Sequence, residues 1–393
     1  MLINYHTFLL CFRRKCDEMG ISYVQAQLAC NGSNRMGQSR ENDVDEAKLH
    51  IDVYLNNDSL DDSVVENSSN EETKIFQISV QLQRAALMLM DNFANDEGTS
   101  VNYKGMRKSQ EFKEYTQIAS KLRQVCLSTL AQMPDPKRLS FFANLYNALI
   151  LHATCVLGAP ENTPQARSAF FSGMIHIRYS SLIQVLFISV HTRIRIDVCW
   201  FSSCINYKSF YPIGDSGAVY NIGGSMFTPD IIEHGVLRAN TRHPYQQNDL
   251  PNYLISNDAI ANVALTPPLD PRIHFILNCG AKSCPPIKIL PEDPEEGLKL
   301  AASAYVSSEL QLNESTKIIY LPKLAYWYQK DFGADVLKTL QTLVSLLNDE
   351  HQAALLTKFS NTFNGINLMQ CRELPGDCRI EYNDYVWDSN RSD

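Results

Sequence analysis

The stretch from Lys137 to Leu157 constrains the fold more than any other, because as a helix it has almost no polar face. It stops cleanly at Gly158, with Pro160 just beyond. A helix that is apolar nearly all round must be covered on several sides, so the chain has to build a core around it. Its two amides, Asn144 and Asn147, lie about one turn apart and need partners once buried. Two roles are open to them: orienting a reactive loop, or capping neighbouring backbone in the core.

The remaining sequence supplies the cover. At 393 residues and 45% hydrophobic, the chain can bury a sizeable core in one or two domains. Apolar spacing at Ile78, Val80, Leu82, Ala86, Leu87 and Met90 predicts a helix from Ile75 to about Phe93. A second is expected over Glu111–Leu130, after a breaker at Glu97-Gly-Thr-Ser100. Thr228 followed by Pro229 and Asp230 signals a helix start, and the helix carries Glu233 and His234 before ending near Arg238. Asp293-Pro-Glu-Glu296 signals another helix, running to Leu310. Strands are expected at Ile273–Leu277, Lys317–Leu321 and Cys378–Tyr382, and short helices around Tyr253–Leu265 and Trp327. Two further helices should cover about Ala334–Leu347 and Asp349–Phe359. The fold class is α+β: a helix-rich single domain with a small sheet, for which a papain-like division is one layout.

Charge separates a leader from this domain. Residues 41–72 hold eleven Asp and Glu against Lys48 alone, so most of the net charge of −8 lies there and the remainder is close to neutral. That distribution argues against nucleic-acid binding, which needs a basic stripe. The run is poor in aromatics and rich in Asn and Ser, so residues 1–73 read as a disordered acidic leader or the fragment of a lost domain, ahead of a domain over 74–393. Eleven irregularly spaced cysteines do not make a disulfide scaffold, and the basic residues Arg13, Arg14 and Lys15 follow the first apolar run instead of preceding it. Free thiols in a reducing, cytoplasmic setting are expected. No stretch reaches the ~20 apolar residues of a membrane span.

The residues richest in chemistry are Arg272-Ile-His-Phe-Ile-Leu-Asn-Cys-Gly-Ala-Lys-Ser-Cys-Pro-Pro286, read as a buried strand entering a glycine- and proline-punctuated loop. A cysteine nucleophile needs a base, and the base needs an orienting group. Cys284 follows Gly-Ala-Lys-Ser, whose amides suit an anion pocket, and stands on a stiff Pro285-Pro286 loop; Cys279 reads as half-buried packing. His234 is the preferred base, with Glu233, Asp230, Asn144 or Asn147 as orienter. His274, alternating with Ile276 on an apolar strand, reads as a satisfied core histidine. Alternatively, two thiols five positions apart can pair, although the spacing does not enforce this. No Cys-x-x-Cys pairs support zinc, and no cofactor is implied. Asp331-Phe-Gly333 imitates a kinase metal-binding tripeptide without a nucleotide loop, and reads as the end of the Trp327 helix. Tyr220-Asn-Ile-Gly-Gly224 reads as a turn and not a phosphate cradle.

Four ordered motifs carry a family resemblance. They are Phe141-Phe-Ala-Asn-Leu-Tyr-Asn-Ala148, Tyr220–Gly224 with Ile232-Glu-His-Gly-Val-Leu-Arg238, the Arg272–Pro286 stretch, and Trp327-Tyr-Gln-Lys-Asp-Phe-Gly333. Together they resemble the family catalogued as domain of unknown function 547. Glu381-Tyr-Asn-Asp-Tyr-Val-Trp387 resembles that family's closing strand, its aromatics serving as core anchors. The resemblance implies a fold neighbourhood and leaves the chemistry open. It also implies that Phe171-Ser172 would run on directly to Gly217, which marks 173–216 as an insertion or a retained intron.

Three functions are compatible with this reading. The first is a thiol-dependent hydrolase or acyl transferase using Cys284 and His234, with Glu233 or Asn144 as orienter. The second is a non-catalytic interaction module with a protein partner. The third is a thiol–disulfide redox protein.

Overall fold

The computed structural model describes residues 55–56, 71–96, 100–172, 218–244, 258–389 and 391. The expected insertion at 173–216, most of the acidic leader and the breaker at 97–99 lie outside the described residues. So does the first part of the helix expected from Tyr253.

At the centre is helix α5, Asp135–Leu157, which follows α1 (Glu71–Phe93), α2 (Tyr103–Arg107), α3 (Gln110–Ser120) and α4 (Leu127–Gln132). Pro136 pre-sets its first turn, and Gly158 ends it in a left-handed conformation with φ of 84°. Every residue from Lys137 to Cys155 is buried. By length and composition α5 is apolar enough to cross a membrane, but 94% of that window is buried inside the protein, as its missing polar face requires. Even its charged start is absorbed: Lys137 Nζ bridges Glu72 and Glu292, each at 3.0 Å. Helix α1 packs along α5 through Ile75, Phe76, Leu82, Ala86 and Leu89.

The helix expected over Glu111–Leu130 is broken. Helix α3 runs into a 3₁₀ turn at Lys121–Gln124, Val125 is extended, and α4 begins at Leu127. The break makes room for the β1–β2 hairpin, Tyr220–Ile222 with Ser225–Phe227, whose turn is Gly223-Gly224. Both glycines have positive φ, and a Cβ on Gly223 would lie 2.3 Å from the Val125 carbonyl oxygen. Tyr220-Asn-Ile-Gly-Gly224 is therefore a turn, as expected.

Helix α6 (Pro164–Ser172) leads toward the proposed insertion, and the hairpin follows it. The Ala218 N–H donates to the Phe170 carbonyl at 2.9 Å, so the two ends of the intervening stretch meet. Two described residues of the leader meet the hairpin. The Leu55 N–H donates to Val219 O, and Asn56, fully buried, exchanges hydrogen bonds with the Asn221 backbone.

The segment expected as a strand at Ile273–Leu277 is a 3₁₀ turn, Pro271–Phe275. The physical reason stands just before it. Asp270 caps the turn by accepting from Arg272 N–H, and Pro271 occupies the first helical position, which is helix-start chemistry. The apolar run is buried because it sits between two hydrophobic clusters, Ile273 and Ile276 in one and Phe275 in the other. Helix α8 (Glu295–Glu309), which follows the short α7 (Asp258–Ala261), joins the same clusters through Leu298 and Ala301 on one side and Ala302 and Val306 on the other.

The second cluster is covered by a three-stranded sheet and four helices. Strands β3 (Gln311–Asn313) and β4 (Ile318–Leu321) are antiparallel, and the tail strand β5 (Arg379–Tyr382) runs parallel to β4. The helices are α9 (Lys323–Trp327), α10 (Gln329–Phe332), α11 (Val336–Ser345) and α12 (Asp349–Thr362). The protein is thus a helix-rich α+β fold, with two small sheets among the described residues.

Candidate functional site

The loop that carries Cys279 and Cys284 is strung between the two buried amides of α5. Asn147 donates to Ile276 O at 2.9 Å and accepts from Asn278 N–H at 2.8 Å. One turn earlier, Asn144 donates to Leu290 O and accepts from Leu290 N–H, both at 2.9 Å. Each side chain replaces a backbone partner, so the core-capping role and the loop-orienting role are the same contact. The closing tail holds the loop from outside: Lys282 N–H donates to Asp388 O, Ser283 N–H to Val386 O, and Val386 N–H to Ser283 Oγ.

Within this frame the two sulfurs are 3.1 Å apart, and both thiols are free and half-buried. The Cys279 N–H donates to Cys284 Sγ at 3.2 Å, and Tyr385 Oη lies 3.1 Å from Cys284 Sγ and 3.9 Å from Cys279 Sγ. The pair is electrostatically unequal. The hydrogen bond from Cys284 is the main cause that lowers the Cys279 pKa, helped by the Arg167 charge, the Ala281 amide and Tyr385. Burial, then the neighbouring Cys279 sulfur, pushes the Cys284 thiol up. The two shifts run in opposite directions, with the Cys279 thiol lowered and the Cys284 thiol raised, whereas the local sequence favours Cys284 as nucleophile.

His234 and Glu233 sit on a π-helical turn, Ile231–Leu237, begun by Thr228 Oγ1 accepting from Ile231 N–H. Such turns recur at functional sites, because the extra residue per turn re-aims side chains. Here Glu233 Oε1 accepts from Tyr328 Oη at 2.6 Å. The Tyr328 ring stacks on His274 with centroids 3.9 Å apart, and His274 Nε2 meets Asp331 Oδ2 at 2.8 Å. Asp331 also takes a two-pronged bond from Arg238, whose third nitrogen donates to His234 Nδ1 at 2.9 Å. His274 is thus the satisfied core histidine that was expected, although on a turn and not a strand.

Tyr146, buried on α5, feels the charges of both this network and the thiols. Burial, then the charges of Glu233 and Cys279, hold its phenol far above the ordinary range. By contrast, the thiol and imidazole expected to act together have different partners: Cys284 Sγ engages Cys279 and Tyr385, while Arg238 holds His234. Asn144 is engaged by both backbone groups of Leu290.

Asp230, His234 and His243 place one ligand atom each within 4.8 Å of one another. A guanidinium can only donate, so the Arg238 contact makes His234 Nδ1 the acceptor and puts the ring proton on Nε2. That proton points toward Asp230, at 4.0 Å, where a metal would have to sit, and the cluster does not suit a cation.

Sequence reasoning missed Asp331, Arg238, Tyr328, Tyr146 and Tyr385. Asp331 reads from sequence as a helix end within the Trp327–Gly333 motif, and Tyr385 as a core aromatic.

Residues 130–306 match the model of a family described as Protein of unknown function, DUF547. The match takes in Asn144, Asn147, Glu233, His234 and both thiols, and ends before Tyr328, Asp331 and Tyr385. No curated protein and no solved structure matches the chain.

Proposed function

The chain carries a DUF547 domain over residues 130–306, and we propose that its Cys279–Cys284 pair is a thiol–disulfide exchange centre. The observation that carries this reading is the 3.1 Å separation of the two sulfurs in a loop pinned at both ends. A disulfide bond measures about 2.05 Å, so closure needs a movement of about 1 Å, within reach of side-chain rotation.

The step balances as follows. The Cys279 thiolate attacks one sulfur of a substrate disulfide, forming a mixed disulfide and releasing one thiolate. Cys284 then attacks Cys279 and gives its proton to the departing group. A second thiol leaves, and the protein disulfide closes. The protein loses two electrons, and the substrate gains them as one thiolate and one thiol. Tyr385 stays hydrogen-bonded to the resolving sulfur, and burial keeps Cys284 protonated until the mixed disulfide forms.

The test is to oxidise the purified chain with a mild disulfide and map its peptides without reduction. A Cys279–Cys284 link, absent from Cys279→Ser and Cys284→Ser variants, is the expected result. Two persistent free thiols would overturn the reading and move attention to a binding module.

A further inference from the structure

Resting on that reading, we infer that the centre favours small disulfide substrates that carry carboxylates, with Arg167 as the residue that selects for them. Arg167 lies on α6, and its guanidinium is stacked on the face of Trp387, 3.3 Å from the ring centroid. That indole is stacked in turn on Trp327 at 4.9 Å and meets Tyr385 at 4.5 Å. Tyr385 is the residue whose hydroxyl touches the thiols. A continuous aromatic shelf therefore runs from the guanidinium to the sulfurs.

Arg167 forms no ion pair among the described residues. The buried guanidinium of the site, Arg238, has its charge matched by Asp331 on two oxygens, whereas Arg167 is half-buried. An arginine held flat on an indole keeps its N–H edge pre-organised, and that edge fits a carboxylate through two parallel hydrogen bonds. Its charge acts on the Cys279 sulfur, and an anion seated on it would stand at the far end of the shelf that leads to the thiols. Lys282, exposed on the thiol loop, adds a second positive charge to that loop.

The test compares three disulfides with the reduced chain: the dianionic 5,5′-dithiobis(2-nitrobenzoate), the neutral 4,4′-dithiodipyridine and the dicationic cystamine. Rates are followed for the wild type, Arg167→Gln and Arg167→Lys. The expected result is a preference for the anionic over the cationic probe that falls roughly tenfold in Arg167→Gln, the scale of one lost charge contact, and survives in Arg167→Lys. Using the ratio cancels any change in thiolate fraction, which acts on all three probes alike. An unchanged ratio in Arg167→Gln would overturn the inference and leave the exchange centre standing. Failure of the neutral probe to close the Cys279–Cys284 link in the wild type would instead remove the exchange reading, and this inference with it.

Discussion

Asp331 receives the Arg238 guanidinium on both carboxylate oxygens, at 2.7 and 3.0 Å, with both side chains almost wholly buried. This pair joins the π-helical turn to the segment after Trp327, and so joins the two halves of the candidate site. Burial alone would raise the Asp331 pKa, but the bonds from His274 and Arg238 prevail and hold it at about 2. A carboxylate with a depressed folded-state pKa contributes stability above its unfolded value and loses it on acidification. This contribution should fade from about pH 4 down to about 2. Asp331→Asn keeps the shape but strands a buried guanidinium, and should cost about 3–5 kcal/mol in urea unfolding at pH 7. A loss under 1 kcal/mol would show that the pair is not structural.

His152 predicts a second acid effect at higher pH. It is buried on α5 beside Tyr220 Oη at 2.9 Å, and burial lowers its pKa to about 3. An unfolded histidine titrates near ~6.5, so below that pH the unfolded state binds one more proton. Stability should fall by about 1.4 kcal/mol per pH unit from this group alone as pH drops from ~6 toward about 3. The urea midpoint of His152→Phe should show a slope smaller by one proton, and an equal slope would contradict the assignment.

The two amides of α5 should separate in function. Asn147→Leu leaves the Ile276 carbonyl and the Asn278 N–H without partners, next to Cys279. Asn144→Leu does the same to both backbone groups of Leu290, beyond Cys284. Each should cost about 2–5 kcal/mol, the penalty for two stranded buried groups. Asn147→Leu should also raise the pH at which Cys279 is labelled. Equal thiol titration in the two variants would mean that the amides brace the core and do not shape the loop.

How much of this could be read beforehand depended on how local the signal was. The α5 helix, its Gly158 stop, the Gly223-Gly224 turn and the helix at Glu295 each rest on residues a few positions apart, and all are present. The strand at Ile273–Leu277 failed because an apolar run shows burial without showing geometry, while the deciding residues, Asp270 and Pro271, lie just outside it. The thiol pair and its loop were legible as chemistry. Its surroundings were not, because Tyr385 and Arg167 come from segments 100 or so residues away and reach the loop only through packing.

The meeting of Phe170 O and Ala218 N–H predicts that residues 173–216 can be removed. Joining Ser172 directly to Gly217 should leave the helical circular dichroism of the domain intact and shift stability by only about 1 kcal/mol, as for other loop-length changes. Loss of cooperative unfolding would show that the stretch belongs to the core. Sequencing the mature transcript is the companion measurement, since its presence there removes the retained-intron explanation.

The most direct test of the central claim is alkylation of the reduced protein across pH, with labelling mapped separately to Cys279 and Cys284. The exchange centre predicts that Cys279 is labelled first, with a midpoint well below the ordinary thiol value of ~8.5. It further predicts that Cys284 stays protected until higher pH, and that both midpoints rise in Tyr385→Phe, which loses a hydrogen bond to each sulfur. Slow labelling of both residues near ~8.5, indifferent to Tyr385, would contradict it.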